Sequence, residues 1–234
     1  MRVATWNVEW ARPGTLRGTR VAALLARLDA DVLVVTEGSA GLLPTDGHII
    51  DAGDDWGYGN EEHRRKVLAW SRQPWTDVTR LAHGSSLGRV LLGRTTTPLG
   101  EVSITAVCIP WARAHVTSGR RDAGQWDEHI DCCSQLAQLP QGPRSILIGD
   151  FNQRIPRSRQ PLRAADALTS MLQGWTVWTA GDTGHGRMID HIATSSDLAG
   201  GDIACWPGTD DTGRLSDHAG VACTVREADA QSRL

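Results

Sequence analysis

The sequence contains no long apolar run. None of its 234 residues lies in a stretch approaching the ~20 consecutive apolar residues that a membrane-spanning helix needs. This absence argues against a transmembrane helix and predicts that the protein has no membrane partner. The N-terminal stretch MRVATWNVEW turns polar within four residues, which is not typical of a secretory signal. We therefore expect a cytoplasmic protein.

The sequence also lacks a CxxC pair. Its five cysteines are an odd number, and two of them, Cys132 and Cys133, are adjacent. Zinc sites and dithiol redox centres commonly use paired cysteines at that spacing. The pattern therefore argues against both kinds of site and fits reduced thiols in a cytoplasm.

A surplus of positive charge is missing as well. The formal net charge is −3, with 24 basic and 27 acidic residues. The surface as a whole is therefore no electrostatic match for nucleic acid, and any phosphate binding requires a local basic patch. Lys66 is the only lysine. Coding bias in a GC-rich genome explains this preference for arginine most simply, and a selected phosphate-binding surface is the second explanation.

The chain has no internal repeat, low-complexity linker or break in composition. This predicts one domain, residues 1–226, followed by a polar tail, residues 227–234. Apolar periodicity predicts helices at residues 15–28, 125–139 and 162–172. Short apolar runs predict strands at residues 3–6, 31–36, 66–70, 90–92, 102–109, 145–148, 188–193 and 219–225. Strands that follow one another without a helix favour antiparallel pairing, so a two-sheet core with outer helices fits better than a doubly wound parallel sheet.

Polar residues stand at the ends of several of these apolar strands. Asn7 follows VATW and Glu37 follows VLVVT, while Asp150 and Asn152 lie in the GDFN sequence that ends the run ILIG. Asp and Asn also favour turns, which is the simplest reading of any one of them taken alone. Taken together, these polar side chains stand at strand ends, where a packed core would hold them in fixed positions at one edge of the protein.

Two further segments carry polar residues close to predicted strands. Asp217 and His218 lie in LSDHAG, just before the last strand, and Asp190 lies among apolar residues in RMIDHIATS. A buried carboxylate is costly unless it is paired. His218 is the expected partner of Asp190, because an imidazole ring needs an acceptor that fixes its tautomer.

Carboxylates, carboxamides and one histidine, without cysteine clusters, form a donor set rich in hard oxygen atoms. Such a set favours Mg²⁺ or Mn²⁺ over zinc. Hydrolysis of a phosphate ester needs an activated water and neutralisation of the phosphate oxygens. Asp150 is the candidate proton acceptor, and Glu37 with the metal is the candidate for neutralisation. The pair formed by His218 and Asp190 is the candidate for acid–base transfer or for stabilising the developing charge.

Five short motifs occur in order along the chain: ATWNVEW, VVTEG, IGDFN, MIDHI and LSDH. Together they resemble the endonuclease/exonuclease/phosphatase superfamily, which includes pancreatic deoxyribonuclease, abasic-site endonucleases of the exonuclease III type, inositol polyphosphate phosphatases and sphingomyelinases. The resemblance extends from Asn7 to His218. It implies an α/β fold, a four-layer α/β sandwich in which two mixed β-sheets pack face to face with helices on the outer faces. It also implies divalent-metal-dependent phosphoesterase chemistry.

The resemblance implies a role for each of the polar residues above. Three correspond to metal-site positions: Asn7, Glu37 and Asp217. Two correspond to the pair that activates the nucleophile and orients the phosphate: Asp150 and Asn152. The catalytic histidine and its carboxylate partner correspond to His218 and Asp190. The implied cofactor is Mg²⁺ or Mn²⁺.

The sequence departs from the superfamily at Cys108, where members often carry a tyrosine or histidine that contacts the phosphate. A thiol is a poor hydrogen-bond donor, so His115 is the candidate substitute. Two loops supply further candidates for substrate contact: Arg154 and Arg157 in RIPRSR, and His185 and Arg187 in GDTGHGR. A solvated loop or a plain hairpin turn explains each of these equally simply.

The leading hypothesis is therefore a phosphodiesterase that acts on DNA or RNA, without an obligate protein partner. A small-molecule or lipid-headgroup phosphatase of the same superfamily is the alternative. A non-catalytic protein that binds nucleic acid or another protein is the third. The sequence leaves open whether cleavage is internal or terminal, and whether monoesters or diesters are cut.

Overall fold

The computed structural model describes residues 1–59 and 62–229. These residues form two six-stranded sheets, a short hairpin and three α-helices. The helices are α1 (Leu16–Arg27), α2 (Asp127–Leu136) and α3 (Leu162–Met171). The strands are β1 (Arg2–Asn7), β2 (Val32–Gly38), β3 (His48–Asp51), β4 (Arg65–Ser71), β5 (Trp75–Arg80), β6 (Val90–Thr97), β7 (Gly100–Cys108), β8 (Ser145–Asp150), β9 (Thr176–Val177), β10 (Asp190–Thr194), β11 (Leu198–Trp206), β12 (Thr209–Asp210), β13 (Gly213–Arg214) and β14 (Gly220–Glu227).

Both large sheets are mixed. The first has the strand order β11-β14-β1-β2-β4-β3, and the second has the order β5-β6-β7-β8-β10-β9. Each contains one parallel pair, β1 with β2 in the first sheet and β7 with β8 in the second, and its other pairs are antiparallel. Asn7 and Asp150 are the last residues of β1 and β8. The parallel pairs therefore end in polar residues.

The two sheets pack face to face through an apolar core. Val3 and Val34 of the first sheet and Ile104 and Ile148 of the second belong to this cluster, and none is more than 2% exposed. Because side chains alternate along a strand, every second residue of these strands points into the interface. Full burial of one such aliphatic side chain contributes about 1.5–3 kcal/mol, so this layer is a large part of the stability that holds the rim in place.

Helices cover the outer face of each sheet. On the first sheet, α1 buries Val21 and Leu25 in a cluster with Trp6. Its N-terminus is capped by Thr15, whose hydroxyl accepts the backbone N–H of Gly18 at 3.0 Å. On the second sheet, α2 and α3 pack together, and the cluster beneath them includes buried residues from both helices: Cys132, Cys133, Leu136, Leu168 and Met171.

This order of layers confirms the predicted four-layer sandwich with two mixed sheets. All three predicted helices are present, each within three residues of its predicted ends. The prediction missed both strands of the short hairpin, β12 and β13, and four strands of the large sheets, β3, β5, β9 and β11. The last of these contains Gly200, Gly201 and Asp202, which have low strand propensity, and it pairs with β14 through a register shift between Gly201 and Ala204.

The C-terminal strand is longer than predicted. β14 continues to Glu227, whose carboxylate accepts a hydrogen bond from the Arg144 guanidinium at 2.6 Å. Residues 230–234 of the predicted tail lie outside the described residues. No helix in the described part of the chain is both long enough and apolar enough to cross a bilayer.

Candidate active site

Strands from both sheets bring three predicted site residues together at one edge of the sandwich. Asp150 ends β8 and Asp190 begins β10, and the antiparallel register places these two residues directly opposite each other. Asn7 ends β1 in the facing sheet. Its Nδ2 donates to Asp150 Oδ2 at 3.0 Å, and its backbone N–H donates to Asp190 Oδ1 at 3.2 Å. Asn7 therefore links the two sheets at this edge.

The turn after β8 holds the Asp150 carboxylate. Asn152 donates its backbone N–H to Oδ1 at 2.8 Å and its side-chain amide to Oδ2 at 3.0 Å. Asn152 has a φ of 53°, a left-handed conformation that asparagine tolerates. Gly149 has a φ of 139°, and a Cβ there would lie 2.0 Å from the carbonyl oxygen of Val107. The GDFN sequence thus supplies the residues that this turn requires.

Asp190 and His218 form the contact expected from the sequence. His218 Nδ1 lies 2.5 Å from Asp190 Oδ2, and the Asp190 side chain is 1% exposed. Ser216 holds the loop that carries His218. Its hydroxyl donates to the carbonyl oxygen of Asn7 at 2.6 Å and accepts the backbone N–H of His218 at 3.1 Å. The histidine ring is therefore anchored to both the loop and the buried carboxylate.

Burial and charge shift the pKa values of two of these groups. Burial, together with the nearby Asp190 carboxylate, raises the pKa of Asp150 to about 7. Burial opposes the charged form of His218, but the Asp190 carboxylate outweighs it and raises the pKa of His218 to about 10. At neutral pH, His218 therefore carries a proton, and Asp150 lies close to its midpoint. A pKa near the working pH suits a group that takes a proton from water.

Glu37, a predicted metal ligand, is paired with Lys66 of the neighbouring strand. Lys66 Nζ donates to Glu37 Oε1 at 2.6 Å, and the two side chains are only 11% and 21% exposed. A basic stretch such as RRK, residues 64–66, is usually surface charge, but β4 directs the Lys66 side chain towards Glu37. The lone lysine stands immediately before the buried run VLAW, where a basic residue is usually exposed, so the sequence alone did not predict its burial.

Asp217, the third predicted metal ligand, lies at the rim of the cluster. Its side chain is 52% exposed. One carboxylate oxygen lies 3.8 Å from His218 Nε2, and the other lies 3.9 Å from the Arg214 guanidinium. The structure thus places Asp217 beside the catalytic candidates but in contact with solvent.

Comparison with known proteins identifies the family. Residues 4–218 match the Endonuclease/Exonuclease/phosphatase family. The chain belongs to this family. No curated protein matches the chain.

Solved structures of other proteins share the fold. An endonuclease/exonuclease/phosphatase from Beutenbergia cavernae DSM 12333 is 21% identical, with a TM-score of 0.75 over 98% of this chain and 72% of that chain. An AP endonuclease from Archaeoglobus fulgidus is 16% identical, with a TM-score of 0.68 over 96% of this chain and 98% of that chain. A 3′ phosphatase from Neisseria bound to a product DNA hairpin is 19% identical, with a TM-score of 0.63 over 97% of this chain and 99% of that chain.

Within this family fold, three of the predicted substrate-binding residues line a small cavity at the cluster. Arg154, His185 and Arg187 surround about 180 Å³ together with Asp190, Asp217 and His218. Arg154 Nε also donates to the carbonyl oxygen of Arg187 at 3.3 Å, which joins the two loops. Arg157 lies apart from the residues that line this cavity. It is exposed, and its Nε donates to the carbonyl oxygen of Gln160 at 2.7 Å.

His115, the predicted substitute for Cys108, is buried. Its residue is 1% exposed, and its ring stacks on Tyr58 with the ring centres 4.4 Å apart. Its Nδ1 accepts the backbone N–H of Arg120 at 3.1 Å. Such burial disfavours direct contact with a substrate. Cys108 is also buried, at the end of β7 beside Asp150, and burial raises the pKa of its thiol.

The residues at this edge fit a divalent cation. Carboxylate oxygens of Asp150 and Asp190 lie within 4.8 Å of each other and of a ring nitrogen of His218. The raised pKa of Asp150 reflects burial and the negative charge of Asp190, to which Glu37 adds. A cation would relieve that repulsion, and carboxylate and amide oxygens are the ligands that Mg²⁺ prefers in proteins.

A buried polar network lies behind the turn after β8, and it was not predicted from the sequence. Gln153 Nε2 lies 2.6 Å from His129 Nε2 and donates to the carbonyl oxygen of Ala164 at 2.7 Å. The Gln153 carbonyl oxygen lies 3.0 Å from His191 Nε2. His129 Nδ1 lies 2.8 Å from the carbonyl oxygen of Pro110. These contacts connect the turn after β8 to α2, α3 and β10.

This network predicts a loss of stability at acidic pH. Burial lowers the pKa of His129 from 6.5 to about 4. Between these two pH values, His129 binds a proton in the unfolded chain but stays neutral in the folded chain. The stability that is present above pH 6.5 is therefore lost as the pH falls towards 4. From about pH 7.5 to about pH 5, the loss in the free energy of unfolding is about 2 kcal/mol.

Urea unfolding of wild type and His129→Gln at both pH values measures this effect. The comparison is needed because Asp150, whose pKa is raised, shifts stability in the opposite direction in both proteins. The variant should lose about 2 kcal/mol less than wild type over this range. An identical pH dependence in the two proteins would contradict the prediction.

Proposed function

We propose that this chain is a divalent-metal-dependent phosphodiesterase that hydrolyses nucleic-acid phosphodiester bonds. The observation that carries this proposal is the buried Asp150 carboxylate, held by Asn7 and Asn152 next to the pair formed by Asp190 and His218. This arrangement places a proton acceptor and a cationic ring side by side at a sheet edge. Both are needed when water attacks a negatively charged phosphate.

Mg²⁺ or Mn²⁺ is the proposed cofactor. Asn7, Glu37 and Asp217 are the proposed ligands, with oxygen donors of the type that these ions prefer. When bound, the ion would neutralise charge on the phosphate oxygens. Lys66 forms an ion pair with Glu37, so its ammonium group lies beside this proposed ligand. It is therefore also positioned to contact a phosphate group.

The remaining roles belong to the protein's own side chains. Asp150 accepts a proton from the attacking water. Asn152 keeps that carboxylate oriented, because its side-chain amide donates both to Asp150 and to the carbonyl oxygen of Ile109. His218 presents its protonated Nε2 side to the phosphate, while Asp190 holds Nδ1 and thus the ring orientation. Positioned groups of this kind contribute about 10²–10⁴-fold each.

The basic loops at the rim are proposed to hold the substrate. Arg154, His185 and Arg187 line the cavity beside His218, so their positions support contact with phosphate groups. Arg157 lies farther along the same exposed loop and suits a more distant phosphate. His115 is buried, so its proposed role in substrate binding is indirect. It supports Tyr58, on which its ring stacks, and the backbone of Arg120.

Two observations support nucleic acid as the substrate class. The solved structures that share the fold include an AP endonuclease and a phosphatase bound to a DNA hairpin. The rim beside His218 also carries several cationic side chains, although the net charge of the chain is −3. We propose a cytoplasmic location, which agrees with five cysteines in the free thiol form.

A phosphatase is the second candidate. The cavity beside His218 has a volume of only about 180 Å³, which favours a single phosphate group over an extended ligand. In that case a small molecule or a lipid headgroup, rather than a polynucleotide, would supply the ester.

A panel of substrates tests both candidates. It comprises supercoiled plasmid, single-stranded DNA, RNA, bis(p-nitrophenyl) phosphate, p-nitrophenyl phosphate and inositol phosphates, each with Mg²⁺, Mn²⁺ or EDTA. We expect cleavage of diesters with the metal, background rates in EDTA, and recovery when Mn²⁺ is restored. Cleavage of monoesters alone would assign a phosphatase. If no substrate is hydrolysed and calorimetry detects no metal binding, the chain would instead be assigned as a non-catalytic binding protein.

A further inference from the structure

A second cavity contains a proposed metal ligand in its wall. It has a volume of about 330 Å³ and contains Glu37 and Lys66 in its wall, so it adjoins the reacting edge. Aromatic and cationic side chains make up most of the remaining wall, among them Trp56, Tyr58, Arg89 and Trp111. We call it the aromatic–basic pocket. Its size lies at the lower end of the range for small-ligand sites, about 300–1,000 Å³.

Arg89 is a buried cation in this wall. Only 2% of the residue is exposed, and within residues 1–59 and 62–229 no ion pair joins its guanidinium to a carboxylate. Its backbone is fixed, because its N–H donates to the carbonyl oxygen of Ser86 at 3.0 Å and its carbonyl oxygen accepts the N–H of Cys108 at 2.9 Å. A buried charge is costly unless it is compensated. An anion that enters the pocket would supply this compensation.

The aromatic rings of the pocket are of two kinds. Trp56 is stacked on Trp10 with the ring centres 5.5 Å apart, and Tyr58 is stacked on His115, whose backbone N–H it accepts at 2.8 Å. These rings are already held by neighbours. Trp111 is different, because it is 46% exposed and no ring in the described part of the chain stacks on it. It offers an open apolar face inside a cationic cavity.

We propose that the aromatic–basic pocket binds one unstacked nucleotide of a single-stranded substrate, with its base on Trp111 and its phosphate on Arg89 and Lys66. The proposal rests on the proposed function, because the pocket shares Glu37 with the candidate metal site. The wall offers Trp111 for stacking with a flat ring, and it offers Arg89 and Lys66 for binding an adjacent anion. In a duplex the bases are paired and stacked, so their faces are not accessible to Trp111. The pocket therefore selects single strands, overhangs or unpaired ends.

Binding of labelled oligonucleotides to Asp150→Asn protein tests the proposal without hydrolysis. The probes are a thymidylate hexamer, a uridylate hexamer and a short blunt-ended DNA duplex, with fluorescence anisotropy as the readout. We expect Trp111→Ala in this background to weaken hexamer binding about tenfold, since one base–aromatic contact contributes at this level. Trp111→Phe should keep most of the affinity, because it keeps an aromatic face. The two hexamers distinguish DNA from RNA as the source of the nucleotide.

Matched controls separate this pocket from general effects. Trp111 is exposed, so its replacement should leave the fold intact. Leu162→Ala changes another exposed apolar residue, on α3, which is not part of this wall. Arg89→Lys keeps the charge in the wall but loses the planar fork, and it should weaken hexamer binding as well.

Two results would overturn the proposal. One is hexamer binding with the same affinity in Trp111→Ala as in its parent protein. This holds also if inorganic phosphate displaces the hexamer, because Arg89 would then bind the phosphate without any contact between Trp111 and a base. The other is an equal loss of affinity for the hexamer and the blunt-ended duplex, which would mean that the pocket contacts only the backbone. Hydrolysis of bis(p-nitrophenyl) phosphate by the wild type reports independently on the proposed chemistry. If the pocket proposal is wrong but the proposed function is right, hexamer binding will not depend on Trp111 while hydrolysis is retained. If the proposed function is wrong, hydrolysis itself will be absent.

Discussion

Replacing Asp150 with asparagine is expected to lower kcat for phosphodiester hydrolysis by about 10³-fold, the middle of the range for a positioned acid–base group. Asparagine has the same shape as aspartate but cannot accept a proton from water. Asp150 lies at the centre of the hydrogen bonds from Asn7 and Asn152, so no other carboxylate can take its place without moving both donors. Steady-state kinetics with saturating Mg²⁺ or Mn²⁺ measures the loss.

The fold should survive this substitution. The neutral amide removes the repulsion between Asp150 and Asp190, and this offsets the hydrogen bond that its NH₂ group loses at Asn152. Asp166→Asn is the matched control, because it removes the same charge from an exposed position on α3. The control should retain wild-type kcat. A folded Asp150→Asn protein that turns over within about tenfold of wild type would remove Asp150 from the proposed role.

The outline of the fold is predictable because its main strands are apolar enough to be recognised locally. VLVV and ILI are buried in the sandwich as their composition predicts, and the helices follow from apolar residues at helical spacing. The missed strands are of another kind. β11 and β5 lie at sheet edges, and their sequences acquire strand structure by pairing with β14 and β6. Local propensity contains little of that information.

The site residues were predictable to the extent that they end apolar strands. Asn7, Asp150 and Asp190 meet because β1, β8 and β10 bring their ends to one edge, and the motif order carried that information. Lys66 and Arg89 were not predictable in this way. Each is a basic residue next to an apolar run, where solvent exposure is the usual outcome, and only the packing of both sheets shows that they are buried.

His218→Ala is expected to lower kcat by about 10²–10⁴-fold, because it removes the protonated ring that faces the phosphate. The same change leaves Asp190 buried without its partner at 2.5 Å. Breaking a buried ion pair in this way costs about 3–5 kcal/mol of stability. A loss of activity in the single variant therefore has two explanations, the missing proton donor and a loosened site.

The double variant His218→Ala/Asp190→Asn separates these explanations. Asparagine keeps an oxygen for the backbone N–H of Asn7, which donates to Asp190 at 3.2 Å, and it removes the unpaired charge. Stability, measured by urea unfolding, should therefore recover in part, whereas kcat should stay as low as in His218→Ala, because groups that act as a unit are not additive. Recovery of kcat together with stability would show that His218 only holds the site in place. Recovery of stability alone would leave the imidazole as the group that acts on the phosphate.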